Sequence, residues 1–243
     1  MLRIEDLHKS FGGLSVVAGL NLAVGAGETR CIIGPNGTGK TTLFNLITGR
    51  FRADSGRIVI AGREVTRLKV HQISRLGVAR KIQSPSVFEE MTVFKNLLVG
   101  GCGRRRIGDL LMSRRPPDLR DRAEAILERF QLQAQRNTRA ADLSHGQKQW
   151  LEIGMVMLND PTLILLDEPT AGMTLPETAR TADLIRTAFK GKTAIIIEHD
   201  IAFVRRLDTK VTVLYRGSVM REGPFDEIAA DESVRRVYLG DEA

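Results

Sequence analysis

Residues 34–41 read GPNGTGKT, set between the apolar run ETRCII and the helical run TLFNLITG. The octet fits G-x-x-x-x-G-K-[ST] with the flanks that give this pattern its meaning, a strand before and a helix after. Glycines at 34, 37 and 39 let the backbone wrap closely around a compact anion, and successive N–H groups at a helix start point into that wrap. A chain built around this unit is directed to an α/β architecture with a largely parallel sheet. The stretch Gly34, Pro35, Asn36, Gly37, Thr38, Gly39, Lys40, Thr41 and Thr42 is the candidate phosphate cradle. Lys40 would reach the β- and γ-phosphates of a nucleotide, Thr41 would offer its hydroxyl to Mg²⁺, and Thr42 would donate to a neighbouring phosphate.

The rest of the chain repeats the alternation of apolar runs with helical periodicity. LSVVAGLNLAV, ETRCII, SGRIVIAG, LILLD and TAIIIE read as strands, and TVLYRGSVMREG reads as a late hairpin turning at Arg216-Gly217. In DLRDRAEAILERFQL, Ala123, Ile126, Leu127 and Phe130 follow i, i+3, i+4, i+7 spacing and give one apolar face. The middle of the chain is expected to be predominantly helical. The reading is one domain over 1–243, with a nucleotide-binding core from 1–87 and 161–243 and a helical subdomain over 88–160.

Hydrophobic residues at 42% and charged residues at 27% fit a folded domain rather than a disordered one. The longest apolar stretches, such as TLILL and AIII, fall far below the roughly 18 residues that cross a bilayer, and MLRIEDLHKSF lacks the apolar core of a leader. A cytoplasmic chain that spans nothing is expected. Cys31 and Cys102 show neither metal-ligand spacing nor a disulfide framework. Part of the net charge of +7 is clustered, with arginines at 104–106 and 114–115 around IGDLLMS. That loop is read either as solvated or as facing phospholipid headgroups or nucleic acid.

Four further polar features converge on phosphate chemistry. LILLDEP puts Asp167 and Glu168 just beyond a buried-type strand, where ligands collect in a parallel α/β sheet. Asp167 would hold Mg²⁺ through water, and Glu168 would orient or deprotonate the attacking water. Gln83, in VARKIQSPSVF, would contact Mg²⁺ or water near the γ-phosphate, and His199, in AIIIEHD, would hydrogen-bond that phosphate. LSHGQKQW at 143–150 opens a helix behind Ser144, a natural N-cap.

Taken in order, Phe11, the loop at 34–41, Gln83, LSHGQ at 143–147, LILLDE at 163–168 and His199 resemble the motif series of an ABC transporter ATP-binding subunit, over nearly the whole chain. The resemblance implies a P-loop ABC ATPase core, an antiparallel β subdomain and an inserted helical subdomain. It implies ATP and Mg²⁺ as cofactors, with Phe11 stacking on adenine. It also implies that Ser144, Gly146 and Gln147 complete the site of a facing subunit. LSHGQ is similar to the usual LSGGQ, with His145 in place of glycine. In TAGMT, Thr174 stands where many relatives carry an aspartate, so cross-site communication through that aspartate is not implied.

KIQSPSVFEEMTVFKNL, LSHGQKQWLEIGMVML, DEPTAGMT and the ending VYLG look like the branched-chain amino acid and urea uptake branch, most similar to its urea-type subunit. The implied partners are a second ATPase subunit, identical or paralogous, two transmembrane permease subunits, and indirectly a periplasmic or extracellular substrate-binding protein. No nucleic acid is expected. The implied place is the cytoplasmic face of the inner membrane. The surface from Gln83 to Asn96, including Phe88, Glu89 and Glu90, is the candidate socket for a permease helix. Two rival readings are a soluble ABC-type ATPase acting on nucleic acid or ribosomes and an exporter subunit. Small size and the lack of a second ATPase domain weigh against the first.

Overall fold

The computed structural model describes residues 1–81, 87–101 and 117–239. Gln83, Cys102 and the arginines at 104–106 and 114–115 lie outside the described residues. The strands are β1 (Leu2–Phe11), β2 (Leu14–Val24), β3 (Thr29–Ile33), β4 (Ser55–Ile60), β5 (Arg63–Glu64), β6 (Val78–Lys81), β7 (Leu163–Asp167), β8 (Ala194–Ile197), β9 (Lys210–Tyr215) and β10 (Ser218–Gly223). The α-helices are α1 (Lys40–Ile47), α2 (Val70–Arg75), α3 (Val93–Gly100), α4 (Pro117–Arg129), α5 (His145–Met157), α6 (Leu175–Ala188), α7 (Ile201–Leu207), α8 (Phe225–Ala230) and α9 (Glu232–Leu239).

The strands form two sheets. One runs β2-β1-β4-β5 and is antiparallel throughout; the other runs β10-β9-β3-β8-β7-β6. In the second, β9, β3, β8, β7 and β6 are parallel neighbours, and only β10 joins antiparallel, through the turn at Arg216-Gly217. Every residue of β7 and β8 is buried, which is why both read as continuous apolar runs rather than alternating ones.

The pleat sorts those buried residues between two cores. Cys31, Ile33, Ile164, Leu166, Ala194 and Ile196 face a core that includes Leu97, Ala123, Leu127, Phe130, Ile153 and Ile185 from the helices. Ile32, Leu163, Leu165, Ile195 and Ile197 face the other way, onto Leu43, Phe44 and the antiparallel sheet. The six-stranded sheet is thus covered on both sides, as a parallel sheet must be.

The expected strands and the hairpin form with ends trimmed by a few residues, but β1 carries no sequence signal that marks it as a strand. Its core positions are Leu2, Ile4 and Leu7, so the alternation breaks. The register shifts between Ile4 and Leu7, around Asp6 at φ 44°. Gly56 on β4 lets this bulge close in, since a β-carbon there would stand 2.3 Å from the Asp6 carbonyl oxygen. Among the described residues of 88–160, regular structure is helical apart from a single bridge, Thr92 to Arg139.

Candidate nucleotide site

Three parallel strands deliver the site from their C-terminal ends. β3 leads into the phosphate loop, β7 ends at Asp167, and β8, between them in the sheet, leads to Glu198 and His199. The loop returns into α1 with Gly39 as N-cap, at φ 94° and with no side-chain hydrogen bond at that cap. Two of its glycines are demanded by packing. A β-carbon on Gly34 would come within 2.3 Å of the Leu214 carbonyl oxygen, and one on Gly39 within 2.6 Å of Val16 O. Asn36 and Gly37 form the exposed tip, Thr41 is exposed and Thr42 half-buried.

Lys40 is buried, and its Nζ donates to Gly34 O at 2.6 Å and Pro35 O at 2.9 Å. Thr38 Oγ1 donates to Pro35 O at 3.0 Å. Burial pulls the Lys40 ammonium below its ordinary pKa, opposed by the charges of Glu168 and Asp167. Behind the loop, Tyr238 of α9 hydrogen-bonds the Gly34 backbone, and burial pushes its hydroxyl pKa far above the ordinary value.

Asp167 is buried, and its Oδ2 accepts from Arg80 Nη2 at 2.7 Å. The same guanidinium donates through Nη1 to Asn45 Oδ1 on α1 at 2.7 Å and lies 5.4 Å from the Phe44 ring. Arg80 therefore ties the proposed Mg²⁺ carboxylate to the helix that follows the phosphate loop. The next residue, Lys81, pairs with Glu152 of α5 at 3.4 Å, both side chains nearly fully buried. Burial lowers the Lys81 pKa, and the charge of Glu152 opposes that shift. Adjacent residues of β6 thus hold two different elements.

Glu168 sits at φ 46°, a strained setting for a residue with a β-carbon. His199 Nδ1 lies 3.7 Å from Glu168 Oε1, too far for a good hydrogen bond but close enough for charge attraction once the ring is protonated. Glu198, fully buried, accepts from Thr170 N–H at 2.9 Å, from Thr170 Oγ1 at 2.6 Å and from His199 N–H at 3.1 Å. Burial raises its pKa, and these hydrogen bonds oppose the rise. Phe11 is exposed at the end of β1, edge-on to Phe51 at a centroid distance of 5.3 Å and 5.2 Å from Lys9 Nζ.

Ser144 and Gln147 form a capping box: Ser144 Oγ accepts from Gln147 N–H at 3.2 Å, and Gln147 Oε1 accepts from Ser144 N–H at 3.0 Å. Ser144 and His145 are exposed, whereas Gly146 is buried against Glu177. Among the described residues, the hydrogen bonds of this first turn run within α5 and to Ala171 rather than to the phosphate loop.

Arg80, Glu198 and Tyr238 were not singled out as site residues from the sequence. An arginine inside an apolar run and a glutamate closing AIIIE were the available signals. The partners of Arg80 and Glu198 depend on β6 lying beside β7 and β7 beside β8, an order that chain position does not reveal.

Strand ends, glycine loop and acidic pair together define a nucleoside-triphosphate site of the phosphate-loop class. Residues 17–171 match the family described as ABC transporter. The chain is 34% identical over 250 residues to the high-affinity branched-chain amino acid transport ATP-binding protein LivG of Escherichia coli (strain K12), covering 99% of this chain and 98% of that one. It is 33% identical to the probable LivG of Archaeoglobus fulgidus, covering 99% and 95%. It also superposes on the ADP conformation of MJ1267, an ATP-binding cassette of an ABC transporter, with a TM-score of 0.86, 31% identity and 99% of both chains covered. The chain belongs to the ABC transporter ATP-binding family. It is an ATP-binding and ATP-hydrolysing transporter subunit.

Proposed function

We propose that this chain energises an importer of small polar organic solutes, either branched-chain amino acids or urea. Near full-length likeness to the LivG proteins carries the reading. The urea alternative rests on the resemblance of KIQSPSVFEEMTVFKNL, LSHGQKQWLEIGMVML, DEPTAGMT and VYLG to the branched-chain amino acid and urea branch, most similar to its urea-type subunit. Uptake by the reconstituted transporter, measured with labelled leucine and labelled urea, separates the two. Transport of neither, or ATP-driven efflux, overturns the proposal.

In this reading two ATPase chains bury two ATP molecules between them. Lys40 and the loop from Gly34 to Thr42 hold the phosphates, and Phe11 stacks on adenine. Thr41, Gln83 and Asp167 hold Mg²⁺. Glu168 prepares the water, with His199 beside it on the γ-phosphate. Ser144, Gly146 and Gln147 serve the facing chain's nucleotide. The Arg80–Asp167 pair fixes this carboxylate at the end of β7, where the metal assignment needs it.

The chain would sit on the cytoplasmic face of the membrane against two permease subunits, fed by a substrate-binding protein. Among the described residues no helix is long and apolar enough to cross a membrane. A cleft of about 660 Å³ lined by Arg50, Ile73, Arg80, Gly100, Glu152 and Val156 lies where the core meets the helical subdomain of residues 88–160. In the helical subdomain Asn96 staples the 88–92 turn, accepting from Phe88 N–H at 2.7 Å and donating to Phe88 O at 3.0 Å, and Phe88 is exposed. The proposed permease socket is the surface from Gln83 to Asn96, including Phe88, Glu89 and Glu90, of which residues 87–96 are described.

A further inference from the structure

His145, a departure from the family's usual signature, makes a contact that glycine could not make. It is the first residue of α5, directly after the cap Ser144. Its Nε2 lies 2.8 Å from the carbonyl oxygen of Ala171. A carbonyl only accepts, so this nitrogen carries the proton and donates. Gln149, one helical turn on, places its side-chain amide 3.4 Å from the same nitrogen.

Ala171 belongs to the tight turn that follows Glu168. Its N–H donates to Glu168 O at 3.2 Å, and Met173 N–H donates to Thr170 O at 3.0 Å. Gly172 holds φ +76°, and a β-carbon there would stand 3.3 Å from the His145 nitrogen, so the turn lies close against the imidazole. The other end of the turn is anchored by Glu198, which takes both the N–H and the hydroxyl of Thr170.

A second contact joins the first turn of α5 to the start of α6, just beyond that turn. Thr174 donates to Glu177 Oε2 through its N–H at 3.0 Å and its hydroxyl at 2.8 Å. Glu177 lies over Gly146, where a β-carbon would stand 3.0 Å from Oε1. Thr174, the other departure, thus uses its hydroxyl to fix Glu177. The first turn of α5 meets the turn after Glu168 at His145–Ala171 and the first turn of α6 at Gly146–Glu177. Of the two, only His145 supplies a directed hydrogen bond.

We propose that His145 is a positioning residue whose imidazole joins the signature loop to the turn carrying Glu168, so that Ser144 and Gly146 engaging a partner's nucleotide are felt at this chain's own Glu168. The proposal rests on the two-chain ATP site proposed above. The bond makes the outward-facing loop and the turn after Glu168 move together, at a position where the strained backbone of Glu168 is sensitive to its neighbours.

Hydrogen–deuterium exchange on the full chain tests the link itself. In His145→Gly, amides at 171–173 exchange about tenfold faster than in the parent, while those of β3 do not change. His145→Gln, whose side-chain amide donates over a similar reach, stays close to the parent. Steady-state hydrolysis tests the coupling. His145→Gly lowers kcat about tenfold, leaves ATP affinity within about twofold, and flattens the ATP dependence to a Hill coefficient of about one. His145→Gln restores roughly half of kcat or more. Unchanged exchange in His145→Gly overturns the link. Changed exchange with unchanged kcat and Hill coefficient overturns the coupling, as does an equal loss of kcat in both variants. The two-chain reading fails separately if Glu168→Gln stays monomeric with saturating ATP. Exchange at 171–173 then still decides whether His145 holds the turn.

Discussion

The chain presents two helix N-termini suited to anions, at α1 and at α5, and they are prepared in opposite ways. α1 starts behind Gly39, which offers no side-chain acceptor, so its first N–H groups face a loop built to surround phosphate. Its walls are tight: Gly34 and Gly39 touch backbone, and Lys40 is buried. α5 starts behind Ser144, whose Oγ already accepts from Gln147 N–H, and Ser144 and His145 are exposed. One terminus is a finished half-site within the chain. The other is a stable capped surface whose proposed ligand arrives with another molecule.

The largest effect expected from this contrast is on hydrolysis. Glu168→Gln should retain ATP while turnover falls by about 10²- to 10⁴-fold, the span that general-base assistance supplies. Phosphate release alongside size-exclusion chromatography with ATP checks both halves of the statement. Near-normal turnover removes Glu168 from the proposed role.

Mixing two defective chains breaks or sharpens the contrast directly. Lys40→Ala spoils the inward half-site and Ser144→Arg the outward one, so each variant alone should be inactive. Random exchange makes about half the dimers mixed, each with one intact site, and activity should return to at most about a quarter of the parent level. If nucleotide-driven dimers form but every mixture stays inactive, while dimers carrying a single lesion work, Ser144 does not act across the dimer.

Arg80→Ala probes why the inward half is rigid. It leaves the nearly buried Asp167 carboxylate without its guanidinium and should lower stability by about 3 kcal/mol. Mg²⁺-ATP should recover more of the unfolding temperature in this variant than in the parent, because a metal cation then compensates the same carboxylate. Equal stabilisation by Mg²⁺-ATP in the two proteins counts against Asp167 as a metal residue.

The smallest effect concerns the outward half. Ser144→Ala removes a cap and should cost about 1 kcal/mol in urea denaturation. The far larger loss expected in ATPase activity separates the cap from the trans-site role. A parallel loss in stability and activity would reduce Ser144 to a helix cap.

Much of the site was legible in the chain because its chemistry is local. The glycines occupy one loop after a strand, Lys40 and Thr41 open the helix that follows it, and Asp167 and Glu168 close one apolar run, so spacing alone marks them as candidates. The cap at Ser144 was legible for the same reason. Strand β1 was not, because a bulge at Asp6 moves its third core residue from position 6 to position 7 and hides the period of two.

What the sequence determined by itself was the set of short-range devices: phosphate loop, acidic strand end, capped helix and the hairpin at Arg216-Gly217. Tertiary structure decided which of them meet. Placing β8 between β3 and β7 sets His199 near Glu168, and placing β6 beside β7 gives Asp167 its arginine. Packing α5 against the turn after β7 gives His145 its carbonyl. Each of these contacts joins residues 26 or more positions apart. No local preference encodes such pairs; they follow from how the two cores close on the sheet, and the nearly buried Arg80 and Asp167 in particular are compensated only by a specific partner.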